Sequence, residues 1–206
     1  MSGTFRVKQL SKSNLEDFLS FFDDEAFADN SSWAFCYCQC FYEDHNKIVW
    51  ANQTPSRNRQ MACHRILNGS MQGYLCYVGD RPVGWCGAAP RNFFRALDED
   101  PVPDAEKVGV IVCFLVAPAF RGNGVARALL DAACEGLALQ GFEFAEAYPR
   151  PNAKSDAENY FGPLGLYLSS GFSIVQHDSD GSVRVRRTLG HRVGMTPNKA
   201  SHQHPC

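Results

Sequence analysis

The sequence predicts a mixed α/β (α+β) fold, with one central mixed sheet of about seven strands flanked by four or more helices. Three observations carry this. Apolar runs of strand length and helical stripes follow the order strand, two helices, three strands, helix, strand, helix, two strands. The run Val108–Val116 is almost wholly apolar, as a strand buried on both faces should be. The 206 residues are 45% hydrophobic and 20% charged, an ordinary globular composition. One domain is expected over residues 1–190, followed by a polar, aperiodic tail at 191–206.

Residues 4–10 alternate as a first strand. Ser13-Asn14-Leu15-Glu16 has the capping-box pattern and predicts a helix to Phe22. Residues 23–53 show no period; they are acidic, then rich in aromatics and cysteine. Thr54-Pro55 reads as an N-cap with proline at the first helical position, and Asn68-Gly69 as that helix's stop. Residues 74–78 and 82–88 form a hairpin around Gly79-Asp80. Residues 90–107 hold no element, and Asp98 to Asp104 reads as an acidic loop. After the long strand, Val125, Leu129, Ala133 and Leu137 mark a helical stripe, with Arg127, Asp131 and Glu135 at four-residue steps on another face. A strand at 144–148, a short helix at 163–170 closed by Gly171, and strands at 174–177 and 183–189 complete the order.

Composition excludes several functions. A net charge of −2 lacks the basic excess of a general nucleic-acid binder. No apolar run reaches membrane-span length. The N-terminus soon turns acidic and does not read as a secretory signal. Nine cysteines, an odd number among apolar neighbours, read as buried thiols in a reducing, cytoplasmic setting. Cys36, Cys38 and Cys40 alternate with aromatics. On a strand they would line one face, so a row of thiols suits them better than a metal site, and no metal is expected.

The chemistry concentrates in Arg121-Gly122-Asn123-Gly124-Val125-Ala126, between the buried strand and the amphipathic helix. Glycine permits positive φ and close backbone approach. The helix N-terminus adds unpaired N–H groups and a positive dipole end, and Arg121 a fixed charge, so the turn suits a phosphate or pyrophosphate. Val125-Ala126 excludes a P-loop, which needs Lys-Ser/Thr there. The turn's position after a hairpin, halfway along the chain, counts against a dinucleotide fingerprint.

The stretch Phe114-Leu115-Val116-Ala117-Pro118-Ala119-Phe120-Arg121-Gly122-Asn123-Gly124-Val125-Ala126 resembles the acetyl-CoA motif of the GNAT N-acetyltransferase superfamily. Its Arg/Gln-x-x-Gly-x-Gly/Ala pattern is met by Arg121, Gly124 and Ala126, and a later Tyr-x-x-x-Gly-Phe by Tyr167, Gly171 and Phe172. The resemblance implies acetyl-CoA as co-substrate, with the backbone of Phe114, Leu115 and Val116 against pantetheine and the amides of Arg121 to Ala126 on the pyrophosphate. It implies direct attack by an acceptor amine, with Tyr167 protonating the departing thiolate. Many relatives carry a glutamate in the strand before the turn, but Val108–Val116 has no carboxylate. The base is then Glu146, a carboxylate on an acceptor loop, or ordered water.

The stretches 33–45 and 112–128, with Gly84-Trp85-Cys86, look similar to a bacterial subgroup that acetylates aminoglycoside-type antibiotics such as kasugamycin. That implies resistance by acetylation of a small-molecule amine, with Trp33, Tyr37, Trp85 and Glu146 on the acceptor side. Carboxylates from the clusters at Asp23, Asp98 and Asp156 would favour a cationic acceptor if they converge on the cleft. Acetylation of a protein or peptide amine and a non-catalytic acyl-CoA-binding module are the alternatives. No nucleic-acid or membrane partner is expected, and a homodimer is compatible with the resemblance.

Overall fold

The computed structural model describes residues 5–100, 102–156 and 158–190; the tail expected at 191–206 lies outside them. The strands are β1 (Arg6–Gln9), β2 (Gly73–Val78), β3 (Arg81–Pro90), β4 (Val108–Val116), β5 (Phe144–Ala147), β6 (Ser173–His177) and β7 (Val183–Thr188). The helices are α1 (Leu15–Ser20), α2 (Pro55–Asn68), α3 (Val125–Leu139) and α4 (Leu164–Leu168). All seven strands form one sheet in the order β1-β2-β3-β4-β5-β7-β6. β4 and β5 run parallel, and every other neighbouring pair is antiparallel. One core, with α1, α2 and the aromatic loops, covers one face; a second, with α3 and α4, covers the other. No helix among the described residues is long and apolar enough to cross a membrane.

The decisive irregularity lies in β4. Gly87 pairs with Cys113 but Ala88 pairs with Ile111, so Val112 is an extra, unopposed residue. Up to and including it, Val108, Val110 and Val112 face the α1/α2 core while Ile111 faces α3. After it the parity shifts, and Phe114 joins the α3/α4 core. The ladder with β5 stops at the same place, at Ile111 opposite Ala147. β4 then runs on to Val116 without β5 beside it, leaving a gap in the sheet.

Local signals explain most elements. Thr54 Oγ1 accepts the Arg57 N–H at 3.3 Å, Pro55 opens α2, and Gly69 closes it at φ 78°. The first helix starts differently from expectation. The Ser11 N–H donates to Asn14 Oδ1 at 2.7 Å, so the cap sits before Ser13, and α1 runs into a π turn over Phe21–Glu25. Residues 23–53 form turns and short 3-10 helices (Ser31–Trp33, Cys40–Tyr42 and Trp50–Asn52), not a strand. Tyr37 and Cys38 both have left-handed backbones, so Cys36, Cys38 and Cys40 do not line one strand face. α2 holds this region by side chains. Arg59 pairs with Asp23 at 3.0 Å, Asn58 donates to the Phe35 carbonyl at 2.9 Å, and Arg65 grips Gln39 and Glu43. Arg127, whose four-residue spacing to Asp131 permits i,i+4 pairing, bonds the Ser169 and Ser170 hydroxyls.

α3 presses on β3 where a side chain is missing. A Cβ on Gly84 would stand 2.7 Å from Val125 Cγ1 and 3.2 Å from Leu129 Cδ1. Gly84→Val therefore overpacks the first turn of α3. It is expected to lower stability by about 1–3 kcal/mol, read as a reduced urea midpoint at constant slope.

Candidate active site

The edge of β4 beyond its ladder with β5 and the start of α3 form one wall of a cleft of about 790 Å³. Phe114, Leu115 and Val116 line it from the strand. Arg121, Gly122, Gly124, Val125 and Ala126 line it from the turn. Gly124 is the N-cap of α3 at φ 90°, a backbone that a side chain would strain. Asn123 is exposed and braces the turn, its Nδ2 donating to the Arg121 carbonyl at 2.9 Å. Arg121 Nε donates to the Val116 carbonyl at 3.1 Å, which ties the cation to the strand edge. The first turn of α3 contains no acidic residue and carries Arg127, which also lines the cleft. A cation there opposes the helix dipole, so Arg121, Arg127 and the turn's N–H groups together make a site for a strong anion.

The opposite wall comes from two loops. The π turn Phe21–Glu25 leads into Phe27, Asp29 and Trp33, and the segment before α4 brings Asp156 and Tyr160. Trp33 and Tyr160 meet edge to face with centroids 5.6 Å apart. Asp29 takes Arg121 at 2.5 and 3.1 Å, and Asp156 takes it at 2.9 Å. The Arg121 guanidinium holds the Asp29 carboxyl below its usual range, and Asp29 raises Arg121. Deeper in, the Phe114 N–H donates to the Tyr160 carbonyl at 2.7 Å.

The profile of the "Acetyltransferase (GNAT) family" matches residues 9–165. The chain belongs to the GNAT acetyltransferase family. Acetyl-CoA is accordingly its acetyl donor. The GNAT domain of S. lividans PAT is similar at 18% identity and a TM-score of 0.57, over 91% of this chain and 92% of that one. The PaiA N-acetyltransferase of Thermoplasma acidophilum, solved with coenzyme A, is 11% identical with a TM-score of 0.54, over 90% and 99%. The ribosomal-protein-S18-alanine N-acetyltransferase of Escherichia coli is 11% identical with a TM-score of 0.50, over 96% and 99%. At these identities the likeness is one of fold. Comparison with curated protein sequences gives no significant match.

The acetyltransferase cleft brings together only part of the residue set expected from sequence. Trp33 and the strand and turn residues line it, Asn123 excepted. Trp85 does not; it is fully buried against Phe18 and Phe22, because its place on β3 opposite Leu115 points it into the α1/α2 core. Tyr37 is also buried. It stacks on Phe22, and its hydroxyl donates to Asp23 at 2.5 Å, beside a separate shallow pocket. Tyr167 lies beneath the cleft wall. Its ring meets Phe114 and Phe172, its hydroxyl donates to the Phe161 carbonyl at 2.5 Å, and burial pushes the phenol well above its ordinary pKa.

Glu146 requires a correction. It is fully buried in β5 and does not reach the cleft. Arg186 takes its Oε1 at 2.6 Å and Arg91 approaches its Oε2 at 3.6 Å; Arg91 also donates to the Tyr148 hydroxyl. Arg91 and Arg184 in turn hold Asp100, so the acidic loop is tied down, not free. This network joins β5, β7 and the loop after β3. The carboxylates that do converge on the cleft, Asp29 and Asp156, are both engaged with Arg121. Among the described residues, no group of three or more His, Cys, Asp or Glu is arranged to hold a metal; Cys40 Sγ and His45 Nε2 are merely 3.6 Å apart.

Three cleft residues carried little or no sequence signal. Arg127 was readable as a cation where a helix N-terminus disfavours one. Asp29 and Tyr160 reach the cleft through long-range loop placement, which no local pattern encodes. Glu146→Gln takes one of two carboxylates from buried Arg91, which keeps Asp100, and takes the close partner from Arg186. Stability should fall by about 1–3 kcal/mol in chemical denaturation, with the pH profile of residual activity unchanged in shape. Wild-type stability with a lost limb of the pH profile would return Glu146 to the role of base.

Proposed function

We propose that this acetyltransferase modifies the amine of a small ring-bearing molecule, an aminoglycoside-type antibiotic such as kasugamycin, and so confers resistance by acetylation. The observation that carries the reading is the Trp33–Tyr160 pair, which sets two aromatic rings beside the gap where β4 leaves β5. Aromatic faces suit the apolar faces of sugar rings. The eight described cysteines are all free, which supports a reducing, cytoplasmic setting.

In this reading Arg121, Arg127 and the amides of Gly122 to Ala126 hold the pyrophosphate of the donor. The backbone of Phe114 and Val116 aligns the pantetheine arm and the thioester. The amine attacks the thioester carbonyl directly, without an acetylated cysteine on the enzyme. Burial among neighbouring thiols pushes Cys36 up to about 12 and Cys40 up to about 11. A hydrogen bond with Cys38, together with burial, raises Cys113 well above its ordinary value. Such thiols stay protonated and are poor nucleophiles at neutral pH. Tyr167 supplies the proton to the departing thiolate once its hydroxyl leaves the Phe161 carbonyl. The proton of the attacking amine passes to water, since β4 carries no carboxylate and Glu146 is buried away from the cleft.

Mass spectrometry of kasugamycin and other aminoglycosides, incubated with enzyme and acetyl-CoA, is expected to show a singly acetylated product. Acetylation confined to peptide amines would instead favour a protein acceptor, the class named for the Escherichia coli neighbour. Coenzyme binding with no product from any amine would favour a non-catalytic module. Tyr167→Phe is expected to lower kcat by about 10²-fold or more, the typical contribution of a positioned acid. An unchanged kcat in a folded variant removes Tyr167 from that role.

A further inference from the structure

Three groups that the proposed reading assigns to the donor are already engaged by one stretch of chain between β5 and α4. Asp156 Oδ2 takes Arg121 Nη1 at 2.9 Å. The Tyr160 carbonyl takes the Phe114 N–H at 2.7 Å. The Phe161 carbonyl takes the Tyr167 hydroxyl at 2.5 Å. The chemistry matches group by group. A carboxylate sits on the arginine assigned to pyrophosphate, a carbonyl on the strand amide assigned to the thioester arm, and an acceptor on the phenol assigned to the thiolate.

This stretch is a built element. The Asn159 N–H donates to the Asp156 carbonyl at 3.2 Å, and the Gly162 N–H donates to the Asn159 carbonyl at 2.7 Å. The Tyr160 ring is held between Trp33 and Phe41. From across the mouth, Asp29 adds a second carboxylate to the same arginine, at 2.5 and 3.1 Å.

We propose that Asp156, Tyr160 and Phe161 form an internal stand-in for the coenzyme, which acetyl-CoA replaces contact for contact, and that Asp29 and Asp156 thereby make the pyrophosphate a requirement for donor entry. This rests on the acetyl-CoA reading of the cleft. The strap and the coenzyme cannot hold Arg121, the Phe114 amide and the Tyr167 hydroxyl at once. A donor with a pyrophosphate competes for the arginine, releases the carboxylates, and frees the two deeper groups together. A donor truncated to the neutral pantetheine arm has nothing to offer Arg121, so it meets a cleft whose competent form is a minor fraction of the protein.

The test is the double variant Asp29→Asn/Asp156→Asn, which keeps side-chain shape and removes both charges. Calorimetry with coenzyme A and with pantetheine separates two effects, because pantetheine is neutral and insensitive to charge repulsion. The variant is expected to bind pantetheine about tenfold more tightly than the wild type, as the competent fraction rises. Hydrogen exchange of the peptide over 155–163 should become faster when coenzyme A binds the wild type, while the start of α3 becomes slower. Two results overturn the proposal. One is a variant that gains affinity for coenzyme A but none for pantetheine, since the carboxylates then act only as repelling charges. The other is slower or unchanged exchange over 155–163 with coenzyme bound. A wild-type chain that gives no heat with coenzyme A sinks the acetyl-CoA reading itself, and this proposal with it; the other two results leave that reading intact.

Discussion

The unopposed residue Val112 is the constraint on which the rest of the molecule depends. Up to Ile111, β4 is an ordinary interior strand, its backbone committed to β3 on one side and β5 on the other. Had that pairing continued, the edge groups of Phe114 and Val116 would be spent in the ladder, with nothing left for a ligand. One extra residue bends the strand and shifts its side-chain parity. Phe114 then packs on Tyr167 with centroids 6.2 Å apart, and the strand edge beyond it turns from sheet into cleft wall. The missing side chain at Gly84 completes the arrangement by letting the N-terminus of α3 lie close against β3.

Elements with local causes were legible in the sequence. Thr54-Pro55 and Gly69 bound α2, continuous apolarity marked β4, and the stripe from Val125 to Leu137 marked α3, because each signal lies within the element it specifies. The turn from Arg121 to Ala126 was legible for the same reason: strand, glycines and helix are contiguous in the chain. Residues 23–53 were not, because Arg59, Asn58 and Arg65 of a later helix hold them, and side-chain anchoring leaves no period. Trp85 and Glu146 stood out by residue type. Their surroundings, however, are set by register and by Arg91 and Arg186 on other elements. Residue type signals chemistry, whereas face and partner belong to the tertiary structure.

The protein holds charge in two contrasting ways. Around Glu146 the ions are enclosed, with Arg91 at 6% and the carboxylate at 0% exposure, so breaking one partner strands the others in a medium that solvates them poorly. Around Arg121 the ions are accessible, with Asp29 at 45% and Asp156 at 68% exposure. Pairs of this kind contribute ~0–1 kcal/mol each, because water and salt compete with them. The first set suits a joint between β5, β7 and a long loop. The second suits a site where one anion must give way to another.

That contrast bears on where the chemistry resides. The cleft offers an anion site, a strand edge and aromatic rings, and a hydrogen bond with Cys38 together with burial raises the Cys113 thiol, next to Phe114, above its ordinary pKa. The polar groups that face the thioester in the proposed reading are a backbone amide and a phenol, both neutral donors at physiological pH. Neutral donors cost little to bury while paired, and they strengthen their bonds as negative charge develops on a carbonyl oxygen or a departing sulfur. A site so equipped favours orientation and charge stabilisation over covalent participation. The most demanding requirement on the fold is then that the Phe114 amide and the Tyr167 hydroxyl be released together, and both are held by carbonyls one residue apart in the same short stretch of chain.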